Sequence, residues 1–140
     1  MDHLAILAKK RKFLPKIISG KKTIESRWYI HKKAPCHALA VGDRVFFKDS
    51  GDPVTVMSEV AKVLFFDNLT MIKIQEILKR YGNDICIQKS YAKNLDGKRY
   101  CSLIFLKNVQ KITPFAIDKR GYGNMAAWIT VENIELLKKK

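Results

Sequence analysis

The stretch Gly20-Lys-Lys-Thr-Ile-Glu-Ser-Arg27, followed at once by Trp28-Tyr29, decides how this chain is read. It sets a glycine, two lysines, a carboxylate and an arginine where a helical pattern gives way to an extended one. Upstream, Phe13/Ile17 and Leu14/Ile18 are spaced i, i+4, which predicts a helix over about residues 10–19. Pro15 fits the first turn of a helix that begins near Lys12, and Gly20 stands at its expected stop. Downstream, residues 22–30 are rich in Thr, Ile, Trp and Tyr, side chains that suit a strand. Glu25 and Arg27 then project from one face and can pair, as a Glu–Arg couple on any exposed strand can. Strict alternation puts Lys21, Thr23, Glu25 and Arg27 on one face and Lys22, Ile24, Ser26 and Trp28 on the other. Lys22 therefore joins Glu25 only if it lies in the turn before the strand begins.

The charge around this stretch is the second informative feature. The 140 residues carry 27 Lys+Arg against 13 Asp+Glu, a net charge of +14. Between residues 9 and 33 ten basic residues stand beside one acid, Glu25, so +9 of that charge falls in 25 residues. A polyanion accounts for this economically, because nucleic-acid phosphates return binding energy through counterion release; a lysine-rich face kept for solubility is the plainer reading. Lysines outnumber arginines 21 to 6, which suits point-charge contacts to phosphate better than bidentate reading of base edges.

The rest of the chain reads as short elements. A loop is expected over 31–42, a strand over 44–48, a turn over 49–53 and a strand over 54–66. Helical spacing covers 69–81, with Gly82 as its stop, and a long strand covers 99–112, interrupted near Asn108. Pro114 marks a corner, 118–124 is a glycine-rich loop, and 126–131 is a last strand before a short helix and a lysine tail. Long strands far apart in sequence, with two or three helices, point to an α+β chain, 1–140 as one domain, built as a small mixed barrel. No apolar run approaches the ~18 residues of a membrane span, and no signal peptide opens the chain, so no membrane partner is expected. Three cysteines without close pairing imply a reducing, cytoplasmic setting. No metal or other cofactor is expected: His3, His31, Cys36, His37, Cys86 and Cys101 lack ligand spacing, and no phosphate-binding or nucleophile-elbow motif occurs.

Gly20, Lys22, Glu25 and Arg27 match the G-x-K-x-x-E-x-R motif of ASCH domains, members of the PUA-like superfamily, which this chain resembles. Residues 13–20 are similar to the helix leading into that motif, Val41-Gly-Asp-Arg-Val-Phe-Phe47 to the Gly-Asp-led second strand, and 54–66 to the third. The resemblance covers about residues 4–113. It implies a small mixed PUA-like β-barrel with flanking helices, a cleft beside the motif, and RNA or a nucleoside as partner. Two chemistries go with relatives: hydrolysis of the acetyl amide of acetylcytidine, and RNA cleavage. Lys22 matches the lysine of the amidohydrolase branch, but Glu25 stands where that branch has its catalytic threonine. Thr23 is two positions away, and the branch's distant glutamate has no clear match, Glu76 and Asp84 being only neighbours.

Three function classes follow. In the first, an RNA- or nucleotide-binding domain, Lys21, Lys22 and Arg27 contact phosphate or a base edge, and Glu25 orients Arg27 or accepts from a base. Trp28 or Trp128 stacks on a base, unless both pack in the core, and Lys48 is a further phosphate contact. The loop with Lys119, Arg120 and Tyr122 would close over the cleft as a lid, its cations on phosphate and its ring on a base, unless it is a plain surface turn. In the second, a metal-independent ribonuclease or an amidohydrolase, Lys22 and Glu25 are catalytic, with Glu25 as base and Lys22 or Arg27 stabilising charge. Flanking cations lower a carboxylate's pKa, which favours binding over cleavage. In the third, a protein-interaction module of translation, the basic helix docks on an acidic protein.

Overall fold

In the computed structural model, which describes residues 1–123 and 126–140, the chain opens on a strand that the sequence pattern does not announce, β1 (Asp2–Leu7). His3, Leu4, Ala5 and Leu7 are all buried, so the segment has no polar alternation to betray it. A 3-10 turn at Lys9–Arg11 leads into α1 (Phe13–Ile18), the two separated by Lys12 in the left-handed region at φ 58. Pro15 falls in the first turn of α1, as expected. Then come β2 (Ile24–Tyr29), β3 (Arg44–Asp49) and β4 (Val54–Phe66).

The second helix, α2 (Met71–Ile85), is capped by Thr70, whose hydroxyl accepts from the Lys73 N–H at 3.2 Å. Gly82 does not stop it. A Cβ at that position would lie 2.9 Å from the Ile87 carbonyl, so the glycine permits a close approach inside the helix. The helix ends instead at Cys86, φ 64. A 3-10 segment at Lys89–Leu95, absent from the sequence reading, buries Ala92 and Leu95.

The long strand β5 (Tyr100–Phe115) runs through both of its expected breaks. Asn108, at φ 52, sits in a bulge: Glu59 pairs with Lys107, but Met57 pairs with Gln110. Pro114 is a strand residue, not a corner. It lies where the ladder is already broken, between the Val56–Lys111 and Val54–Phe115 pairs. The chain ends with β6 (Trp128–Val131) and a 3-10 turn at Ile134–Leu137.

Together these form one mixed six-stranded sheet in the order β2-β5-β4-β3-β1-β6, with β1 and β3 parallel and every other pair antiparallel. The α+β class and the small mixed barrel expected are both present, the barrel as a six-stranded half-barrel sheet. One core cluster gathers Leu7, Phe47, Ile104 and Leu103 with Phe13 and Ile17 of α1 and Ile74, Ile77 and Leu78 of α2. The other collects Leu4, Phe46, Ile129 and Leu137. Arg44 anchors β1 by a bidentate pair with Asp2, at 2.9 and 2.7 Å. No helix among the described residues is long and apolar enough to cross a membrane.

Candidate functional site

The edges of the curled sheet are bridged by a side chain. Arg27 of β2 donates from Nη1 to the Ala127 carbonyl at 3.3 Å and from Nη2 to the Ile6 carbonyl of β1 at 3.5 Å. The same guanidinium donates to Glu25 Oε2 at 3.1 Å and lies 5.1 Å from the centre of the Trp128 ring. A cavity of about 370 Å³ opens at this seam, lined among others by Glu25, Arg27, Trp28, Arg11, Tyr91 and Lys98. A second, of about 310 Å³, includes Arg27, Trp28, Tyr29, Lys33 and Trp128 in its lining.

Beneath the seam, Lys22 meets Glu25 by the one route alternation leaves open. Gly20, at φ 82, turns the chain after α1, and the Lys22 N–H donates to the Lys16 carbonyl at 2.9 Å, so Lys22 precedes β2. Its side chain runs inward and is 1% exposed. Nζ donates to the Ile85 carbonyl at 2.6 Å and the Ile24 carbonyl at 3.0 Å, pairs with Glu25 Oε1 at 3.4 Å, and sits 4.4 Å from the centre of the Phe13 ring. Three acceptors match the three protons of an ammonium. Ile85 is the last residue of α2, where the helix dipole favours a cation. Lys22 is therefore a buried tie between both helices and β2, and the phosphate contact expected of it is sterically closed.

Glu25 is 3% exposed. Its Oε1 also accepts from the Ser26 N–H at 3.0 Å. Burial by itself would raise its pKa; the charges of Lys22 and Arg27, with the hydrogen bonds from Arg27 and Ser26, outweigh this and hold it below the ordinary carboxylate value. Burial pulls Lys22 below the ordinary lysine value, opposed by the charge of Glu25. A carboxylate so depressed and so fully bonded is a weak base for a substrate hydroxyl.

The two tryptophans differ. Trp28 is half-buried, lines both cavities and donates from Nε1 to Ser26 Oγ at 3.0 Å. Trp128 is a packed wall, 7% exposed, with Arg27 over its ring, so the core-packing alternative describes it. Its Nε1 donates to His3 Nδ1 at 3.2 Å, which places the His3 proton on Nε2, donating to Asp43 Oδ2 at 2.8 Å. Asp43, of the Gly42-Asp43 pair, also accepts from the Ala40 N–H at 3.0 Å. Burial holds His3 below its ordinary value of 6.5, against the pull of Asp43. Its native state is thus neutral while the unfolded chain takes up a proton near pH 6.5. The urea midpoint is expected to fall as pH drops from 7.5 to 5.5, and His3→Gln should remove that step. An unchanged midpoint in the native sequence would contradict the buried neutral imidazole.

The remaining expected residues lie outside the cleft. Lys21 is exposed and lines neither cavity. Lys48, 8% exposed, alternates with Phe47 and so shares the sheet face of Phe46, and it lines neither cavity. Burial and the charge of Lys119 lower its pKa. In the 118–124 loop, Arg120 folds back on Asp118, with Nε at 2.8 Å and Nη2 at 2.6 Å from Oδ2. Tyr122 is 42% exposed between Gly121 at φ 88 and Gly123 at φ 90. None of Lys119, Arg120 and Tyr122 lines either cavity; Asn124 lies outside the described residues, and Ala127 beyond it reaches the seam. Arg11, Tyr91 and Lys98 are the cleft residues that sequence reasoning passed over. Only Arg11, inside the basic run, carried any signal.

No family model matches the chain, and no curated protein matches it. Solved structures do. The crystal structure of an ASCH protein from Zymomonas mobilis has a TM-score of 0.70 at 19% identity, over 96% of this chain and 90% of that one. A tyrosine-to-phenylalanine variant of it gives 0.72 at 18% identity, over 96% and 93%. A serine-to-alanine variant gives 0.71 at 19%, over 96% and 91%. The likeness is one of fold.

Proposed function

We propose that this chain, which has the ASCH-domain fold, binds single-stranded RNA in the cleft at its seam. The observation that carries this reading is the internal neutralisation of Glu25. Among the described residues it is the one acid in the cleft lining, and Lys22 and Arg27 both pair with it from within the fold. The cations that remain at the opening, Arg11 and Lys98, then set its potential, and the +14 net charge steers a polyanion toward it. Trp28 and Tyr91 supply ring surface for a base, and Arg27, held by Glu25, presents its remaining donors to phosphate or a base edge. The lowered pKa of Glu25 favours binding over base-assisted cleavage.

The test is the salt dependence of affinity for a fluorescent single-stranded RNA. With about four phosphate contacts, the logarithm of the association constant should fall with a slope near −3 against the logarithm of salt concentration. That is a loss of about 50-fold between 50 and 200 mM salt. Affinity that ignores salt, or no binding at low salt, would sink the reading.

A further inference from the structure

The seam cavity has a neighbour of about 390 Å³, and the two share Arg11, Phe13, Ile87 and Tyr91 in their linings. Each has the volume of a small-ligand site. At their common wall the Arg11 guanidinium lies 4.6 Å from the centre of the Phe13 ring and 4.7 Å from that of Tyr91. Two aromatic faces hold it by cation–π attraction, which fixes the fork before any ligand arrives. Among the described residues its guanidinium has no hydrogen bond or ion pair, so its donors remain unspent. The far cavity adds Lys16, Lys93, Gln88 and Asn94 and contains no described acid. Its two lysines suit phosphate, and its two amides offer both donors and acceptors to a base edge.

Resting on the RNA-binding reading, we infer that Arg11 grips the phosphate between two nucleotides, one seated beside Trp28 and Arg27 and the next in the far cavity. The ligand is then a single strand of at least two nucleotides, not a free nucleoside, because bases stacked in a duplex cannot enter two separate cavities. Arg11 suits the bridging phosphate for geometric reasons: a planar fork, clamped in place, meets two phosphate oxygens at once.

Calorimetric titration with uridine and with the dinucleotide UpU at low salt tests this. The dinucleotide is expected to bind the native chain about 10-fold tighter or more, the worth of one charge-assisted fork. Arg11→Gln should bring that ratio to within about twofold, and Arg11→Lys should leave it intermediate. Lys93→Gln, at an exposed position where folding is not at risk, should lower the ratio in the same direction. Equal affinities for the two ligands, or a ratio untouched by Arg11→Gln in a folded variant, overturns the two-nucleotide inference alone. Failure of both ligands and of longer RNA to bind overturns the RNA-binding reading with it.

Discussion

Lys22→Met is expected to lower the free energy of unfolding by about 3–5 kcal/mol, because it breaks a buried ion pair and leaves two buried carbonyls without their donor. Glu25 is 3% exposed and would keep only the Arg27 and Ser26 hydrogen bonds, while the Ile85 carbonyl at the end of α2 would lose its donor at 2.6 Å. Methionine fills most of the same volume, so lost packing on Phe13 is a minor part of the effect. The double variant Lys22→Met/Glu25→Gln should not recover the loss, since it leaves Arg27 without its carboxylate and the Ile85 carbonyl still without a donor. Urea denaturation at pH 7 measures both. A loss below about 1 kcal/mol in the single variant would mean that the pair is solvated, against the geometry described.

Arg27→Leu should cost about 3 kcal/mol and, independently, weaken RNA binding by about 10-fold or more. Arg27 links β2 to β1 and to Ala127, pairs with Glu25, and covers Trp128. Leucine keeps an apolar contact with that ring but gives up every polar link across the seam. Arg27→Lys separates the two effects: one charge returns, but a single ammonium cannot reach two carbonyls and a carboxylate with a planar fork's geometry. Stability should recover in part and RNA affinity by less than half of the loss. Native stability in Arg27→Leu would show that backbone packing alone holds the barrel closed.

The sequence made the motif and its surroundings legible because their local chemistry is strong. The bounds of β4 could be read directly, since its alternation against the core holds over the first seven of its 13 residues and apolar side chains carry it to Phe66. β1 could not, because its two faces are both covered and its apolar run has no period. Gly82 misled through a sound rule applied to the wrong cause: it serves a close approach of Ile87, not a helix stop. Lys22 was legible only as a condition on the turn at Gly20, and burial then reversed its expected role from phosphate contact to structural tie. Lys48 lines neither cavity, and its place was not legible because neighbours in a strand face opposite sides and sequence does not say which of them reaches the cleft. Arg11 was hidden among ten cations in one basic run, where only tertiary contact with Tyr91, from an unforeseen 3-10 segment, singles it out.

The most direct test of RNA binding at the seam is an NMR titration of isotopically labelled protein with a single-stranded RNA hexanucleotide at low salt. The account predicts shifts concentrated at the amides of Ser26, Arg27 and Ala127, the indole of Trp28, and the residues around Arg11 and Tyr91. The exposed face of α2 at Glu76 and the far sheet face at Lys48 should stay still. Shifts confined to those two regions, or a spectrum unmoved by saturating RNA, would contradict it.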